Sequence, residues 1–182
     1  MVKKSVEQTI QDYLVDIRKF QNPDGGFVYF YDADRTYRPN YSDFYLSSYI
    51  LSSGGYIKDI GYVGEPKVYT DTISYLKNRF YKNQIEGCTV TPNNDCTYSD
   101  FDRLNAIDAI LMYNKNDYEA YKMWKLLKQG KMDVSYNLED ALVMGKLATL
   151  KDVSETEKKE LQKGAKKILD TVLSEELVFT PR

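Results

Sequence analysis

Four carboxylates carry the sequence's best prospects for chemistry: Asp32 and Asp34 in one polar loop, Asp95 in another, and Asp100 at a helix start. Paired acids of this kind can act as general acid and base when they flank one substrate bond. The chain has no histidine in 182 residues. Ser-His-Asp and Cys-His nucleophiles, imidazole zinc sites and histidine bases are therefore excluded within it. Asp32-Ala33-Asp34 lacks the later oxygen ligands and the glycine of a calcium loop. Two thiols without a histidine or a second cysteine pair do not make a metal site. No metal and no cofactor are expected. Cys88 and Cys96 share one loop rich in turn formers, GCTVTPNNDC. A disulfide is favoured there if the protein is exported, and two reduced thiols if it is cytosolic. The bond would add about 2.6 kcal/mol by restricting the unfolded chain.

The most specific segment is Gln21-Asn22-Pro23-Asp24-Gly25-Gly26-Phe27. Pro23 fixes its own φ, Asp24 can bond to the backbone two residues on, and the glycines reach φ values that other residues avoid. Gln21, Asp24, Gly25, Gly26 and Phe27 are read as a rigid structural turn closing the first helix. The loop that follows, 28–41, carries Tyr29, Phe30, Tyr31, Tyr37 and Tyr41 among Asp32, Asp34, Arg35 and Arg38. Aromatic rings with polar tips give Tyr29, Tyr31, Tyr37 and Arg38 the makings of an interaction surface. The plainer reading is a loop pinned across helix ends by its tyrosines.

Helices must position these residues. Apolar side chains recur at spacings of three and four through Val6–Phe20, Tyr69–Phe80, Phe101–Leu111, Leu138–Ala148 and Leu161–Val172. About seven helices are expected, over roughly 5–20, 42–60, 67–82, 99–113, 117–129, 136–150 and 154–174. Ser42, Ser99 with Asp102, Asp117, and Ser154 with Glu157 read as start signals. The Gly54-Gly55 to Gly61 region, Gly87 and Gly130 read as stops. The second helix has no charge from Phe44 through Ile57, whereas the seventh is crowded with Lys and Glu. Even-numbered helices are thus expected inside and odd-numbered ones outside. Trp124, among Tyr118, Tyr121, Met123, Leu126 and Leu127, reads as a packing ridge. Tyr41-Ser42-Asp43-Phe44 and Tyr98-Ser99-Asp100-Phe101 open the second and fourth helices alike, which suggests repeated hairpins. The expectation is one all-α domain over 1–182, built as a partial α/α toroid of three to four helical hairpins.

The charge balance of 25 basic to 27 acidic side chains argues against a nucleic-acid partner. No apolar stretch reaches the length of a membrane helix, and the first residues lead into an amphipathic segment, so neither membrane insertion nor an export signal is expected in this chain.

At the QNPDGGF turn the chain resembles α/α-toroid families: terpene cyclases, protein prenyltransferases, and the thioester domains of alpha-macroglobulins and complement proteins. The surroundings, IRKFQNPDGGF over 17–27 and SDFYLSSYILSSGGY over 42–56, look like bacterial alpha-macroglobulins. Residues 68–80, 100–115 and 136–150 are similar to later helices of that family, so the resemblance runs in order through roughly 10–173. It implies a non-catalytic scaffold segment of a protease-trapping protein, in which cleavage of a bait region elsewhere triggers a conformational change. It also implies contacts with other domains of the parent chain, contact with proteases through the parent, and a periplasmic or extracellular place. The family's Cys-x-Glu-Gln thioester element fits neither Cys88-Thr89-Val90-Thr91 nor Cys96-Thr97-Tyr98-Ser99. The chain is accordingly expected to be a central portion of a thioester-type domain that lacks the covalent trap. Asp95-Cys96-Thr97 resembles the acid motif of triterpene cyclases. The alternative reading is therefore a toroid-fold enzyme, a cyclase, polysaccharide lyase or glycosidase working through carboxylates.

Overall fold

The computed structural model describes residues 5–30, 41–92, 94–129 and 138–176, and among them the regular structure is helical. Helix α1 spans Val6–Asp16 and runs into a short 3-10 helix, Ile17–Phe20; then come α2 (Phe44–Asp59), α3 (Pro66–Lys82), α4 (Asp100–Tyr113), α5 (Tyr118–Lys128), α6 (Leu138–Leu147) and α7 (Glu155–Glu176). The all-α expectation holds, with bounds close to those read from periodicity. Packing divides the chain, read from sequence as one domain, into two compact units, Met1–Tyr113 and Asn114–Arg182.

Caps explain most of the starts. Ser5 accepts from Gln8 N at the head of α1, and Pro66 occupies the first turn of α3, where its missing N–H costs nothing. Ser154 and Glu157 form the expected reciprocal box on α7, with Glu157 Oε2 accepting from Ser154 N and Ser154 Oγ accepting from Glu157 N. Asp117 accepts from Glu119 N on α5. Ser42 does not cap α2: Asp43 does, accepting from Leu46 N at 2.6 Å. On α4, by contrast, Ser99 Oγ accepts from Asp102 N at 3.1 Å. The two YSDF segments are thus shifted by one residue relative to their helices. Phe44 is buried while Phe101 lies at the surface.

The helix ends within the expected Gly54 to Gly61 region, with Gly54 and Gly55 inside it. A Cβ on Gly55 would stand 2.7 Å from the backbone carbonyl of Met112, and one on Gly54 2.3 Å from the Tyr69 ring. The pair lets α4 and α3 approach the α2 backbone. The helix stops at Gly61, whose φ is +96° and whose N–H bonds to Lys58 O. Gly87, however, closes no helix. Its φ is +72° and it sits against the Tyr41 ring, while α3 ends earlier at left-handed Asn83. Gly130 lies outside the described residues.

In the amino-terminal unit α2 packs on α4 and α3, and Leu51, Leu76, Phe80, Ile107 and Ile110 are fully enclosed. The Tyr69 ring stacks on Tyr113 at 4.7 Å. In the second unit α6 packs on α7 around Val143, Leu147, Leu150, Leu161 and Ile168. Trp124 stacks on Tyr121, as a packing ridge should. Hydrogen bonds from Ser154 and then Tyr121 hold the Glu157 carboxyl at about 2. Helix α2 is not enclosed on all sides: Tyr45, Tyr49 and Tyr56 stand at the surface. A charge-free run rich in tyrosine is not apolar all round, because each phenol keeps its hydroxyl in water. Among the described residues no helix is long and apolar enough to cross a membrane.

Gly55→Ala should destabilise the amino-terminal unit by about 1–3 kcal/mol through overpacking. Gly145→Ala, in open space on α6, should instead stabilise by about 0.5–1 kcal/mol. Urea denaturation of both variants checks the pair, and equal effects would contradict the assigned close approach.

Candidate functional site

The QNPDGGF segment makes a closed turn across the end of the 3-10 helix. Gly25 N donates to Asn22 O at 2.9 Å and Asn22 N to Gly26 O at 2.8 Å, while Gly26 N donates to Asp24 Oδ1 at 3.0 Å. Gly25 has φ +90°, and a Cβ there would lie 2.4 Å from Asp71 O. One on Gly26 would meet Ser42 Cβ at 2.4 Å. Both glycines are therefore required by close approach, the first to α3 and the second to the segment entering α2.

Gln21 ties the turn to α3. Its Nε2 lies 3.0 Å from Gly25 O, 2.8 Å from Val68 O and 3.1 Å from Thr72 Oγ1, and Thr72 Oγ1 in turn is 3.1 Å from Gly25 O. Phe27 is wholly buried. Its N–H donates to Ser47 Oγ at 2.8 Å and its carbonyl accepts from Asp43 N at 2.8 Å, so the turn is also laced to the start of α2. Ser42 Oγ donates to Asp24 Oδ1 at 2.7 Å, and Tyr75 OH donates to Ser42 O at 2.8 Å.

Arg79 stands behind this turn, only 7% exposed. Its Nη2 is 3.5 Å from Asp24 Oδ2, and its Nη1 pairs with Glu86. Burial works against its charge, but the hydrogen bond and charge of Glu86 outweigh it, so the Arg79 pKa is raised. Burial, then Tyr98 and Asp24, push the Tyr75 hydroxyl far above the usual tyrosine range. Burial first, with Tyr13 and Tyr113, raises Tyr69 to about 12. Phe44 stacks on Tyr98 at 4.3 Å. Cys88 and Cys96 are joined in a disulfide with Cα atoms 5.7 Å apart. That bond staples the loop supplying Glu86.

The turn residues Gln21, Asp24, Gly25, Gly26 and Phe27 are thus gathered in one place. Of the aromatic loop, Tyr29 is at the surface, whereas Tyr31, Tyr37 and Arg38, like Asp32 and Asp34, lie outside the described residues. Asp95 is exposed and bonded to Thr97, which holds its carboxyl below the usual range. Asp100 sits in the first turn of α4, 3.9 Å from Arg103 Nη1. Thr72, Tyr75, Arg79 and Glu86 were not expected from the sequence as partners of the turn. A signal was present: Val68, Thr72, Tyr75 and Arg79 follow the spacing of a buried stripe, and polar residues on such a stripe need partners.

Chemically the arrangement joins segments of the chain through its polar groups. The Asp24 carboxylate is engaged by Gly26 N, Ser42 Oγ and Arg79, and the Glu86 carboxylate by Arg79. Among the described residues no group of three or more Cys, Asp or Glu could hold a metal ion. No protein-family model, curated protein or solved structure matches the chain.

Gln21→Ala removes the donor shared by the turn and α3, and should destabilise the amino-terminal unit by about 1–3 kcal/mol in urea denaturation. Alkaline titration gives a second check. Tyr69 and Tyr75 have raised folded pKa values, so the native chain holds protons that the unfolded chain has lost, and stability is full below about pH 10 and falls above it. Absorbance should show these two phenols ionising after the exposed ones. A single transition at the ordinary tyrosine value would contradict the packing.

Proposed function

We propose that the chain is a non-catalytic helical scaffold segment that presents surface to neighbouring domains of a larger protein. The carrying observation is the state of the polar groups at the turn. Gln21, Asp24, Ser42, Tyr75 and Arg79 are all engaged in joining the entrance of α2 to α3, which leaves no poised acid, base or nucleophile there. A site for chemistry keeps such a group free to meet substrate; a brace uses them up.

Within this reading the parent is an alpha-macroglobulin-like protease trap, and the helices are hairpins of a thioester-type toroid from which Cys-x-Glu-Gln is missing. The resemblance of residues 17–27 and 42–56 supports the family, and the Cys88–Cys96 bond supports an oxidising, periplasmic or extracellular setting. Tyr29, with Tyr31, Tyr37 and Arg38, forms the surface offered to adjoining domains.

The test uses the natural protein that contains residues 1–182. Mixed with an attacking protease, it should suppress cleavage of large protein substrates while leaving cleavage of small peptides intact. Replacing Tyr29, Tyr31 and Tyr37 with Ala should weaken that suppression without loss of helical signal. Unaltered cleavage of both substrate classes would remove the trap; a lyase or hydrolase activity lost on Asp95→Asn with Asp100→Asn would remove the scaffold reading altogether.

A further inference from the structure

The Cys88–Cys96 bond joins two segments that are held very differently. On one side Cys96 is wholly buried, and Tyr98, two positions on, stacks on buried Phe44 at 4.3 Å. That side is fixed to the start of α2. On the other side, every described residue from Gln84 to Asp95 is exposed except half-buried Cys88. With so little surface buried, this stretch has scant hydrophobic hold of its own. Its ties are the disulfide, the bond from Ile85 N to Cys96 O at 2.7 Å, the contact of Gly87 with the Tyr41 ring and the pair that Glu86 makes with Arg79.

Cys96 adds a sign that the closed form is imposed. Its φ is +58°, a left-handed conformation that a residue with a Cβ keeps only where its surroundings over-determine it. Its N–H donates to Asn94 Oδ1 at 2.9 Å, and the sulfur bridge completes the hold. Strained positions of this kind cluster where a segment switches.

Glu86 stands two positions before Cys88, so what frees Cys88 also frees the counter-ion of a guanidinium that is 7% exposed. Arg79 is then left with Asp24 Oδ2 at 3.5 Å. A buried charge that loses one partner draws in water or swings outward. Either movement opens the space behind the turn that Asp24 closes.

We propose that the Cys88–Cys96 pair is a redox latch on the QNPDGGF turn, opened by a dithiol reductant. The thiolate of the dithiol attacks Cys88 Sγ, the more accessible sulfur, and the S–S bonding pair leaves on Cys96 Sγ, which takes a proton from water. The second thiol of the dithiol, deprotonated, then attacks the mixed disulfide. This releases the Cys88 thiolate, to which Asn94 Nδ2 is already a donor at 3.6 Å, and that thiolate is protonated in turn. Two electrons and two protons pass to the protein, and the dithiol becomes a disulfide. A disulfide oxidant recloses the latch by the reverse steps. The latch requires only the bond and the brace, so it stands or falls separately from the trap reading.

Hydrogen exchange before and after treatment with dithiothreitol tests it, with mass analysis of alkylated thiols to confirm that both cysteines are released. Reduction should speed exchange at the Gly26, Phe27 and Asp43 amides at least about tenfold, leave α6 and α7 unchanged and keep the helical circular dichroism signal. Reoxidation should restore protection. Glu86→Gln in the bonded protein should loosen the same three amides, and reducing that variant should add less than about twofold there. Unchanged or slower exchange at the turn after reduction, acceleration spread over both units, or loss of helical signal would overturn the proposal. So would a Glu86→Gln variant that stays protected when bonded or responds to reduction in full.

Discussion

Gly25 admits no other residue. Its φ of +90° lies where a side chain is strained, and its α-carbon faces the Asp71 carbonyl so closely that a Cβ would stand 2.4 Å away. The turn that this approach permits brings the Gly25 carbonyl within reach of Gln21 and Thr72 together. Once they meet, the end of the 3-10 helix, the entrance of α2 and the first turns of α3 are one piece. Phe27 is then drawn into the core, its backbone taken up by Ser47 and Asp43. Removing water from this region is tolerable only because every donor brought in finds an acceptor.

Arg79 extends the same logic to the cysteine loop. A guanidinium this deep is costly unless paired, and its two partners come from separate segments: Asp24 from the turn and Glu86 from the stretch leading into the Cys88–Cys96 loop. The disulfide constrains the segment that carries Arg79's nearer counter-ion. The brace and the staple are therefore parts of one electrostatic arrangement, although the sequence separates them by more than sixty residues.

Most of the helices were legible because an apolar stripe at helical spacing is a strong signal, and because Asp117 and the Ser154–Glu157 box cap as their chemistry dictates. The turn, too, announced itself through Pro23, Gly25 and Gly26. What escaped is what depends on a neighbour. That Gly54 and Gly55 admit close neighbours shows only once α4 and α3 are placed against them; Ser42 looks like a cap until its hydroxyl is claimed by Asp24. Arg79 resembles any basic residue near a helix end, and only its position on the stripe of Val68, Thr72 and Tyr75 marks it as buried. The matching YSDF tetrapeptides mislead in the same way, since one side chain's burial decides which residue begins the helix.

The glycines inside α2 also bear on how the protein is made. With Gly54-Gly55, four serines and no intrahelical ion pair between Phe44 and Ile57, α2 has poor intrinsic helicity. Its hydrogen-bonded turns persist because α3 and α4 lie against them. In the order of synthesis α2 precedes both helices that support it, α3 and α4.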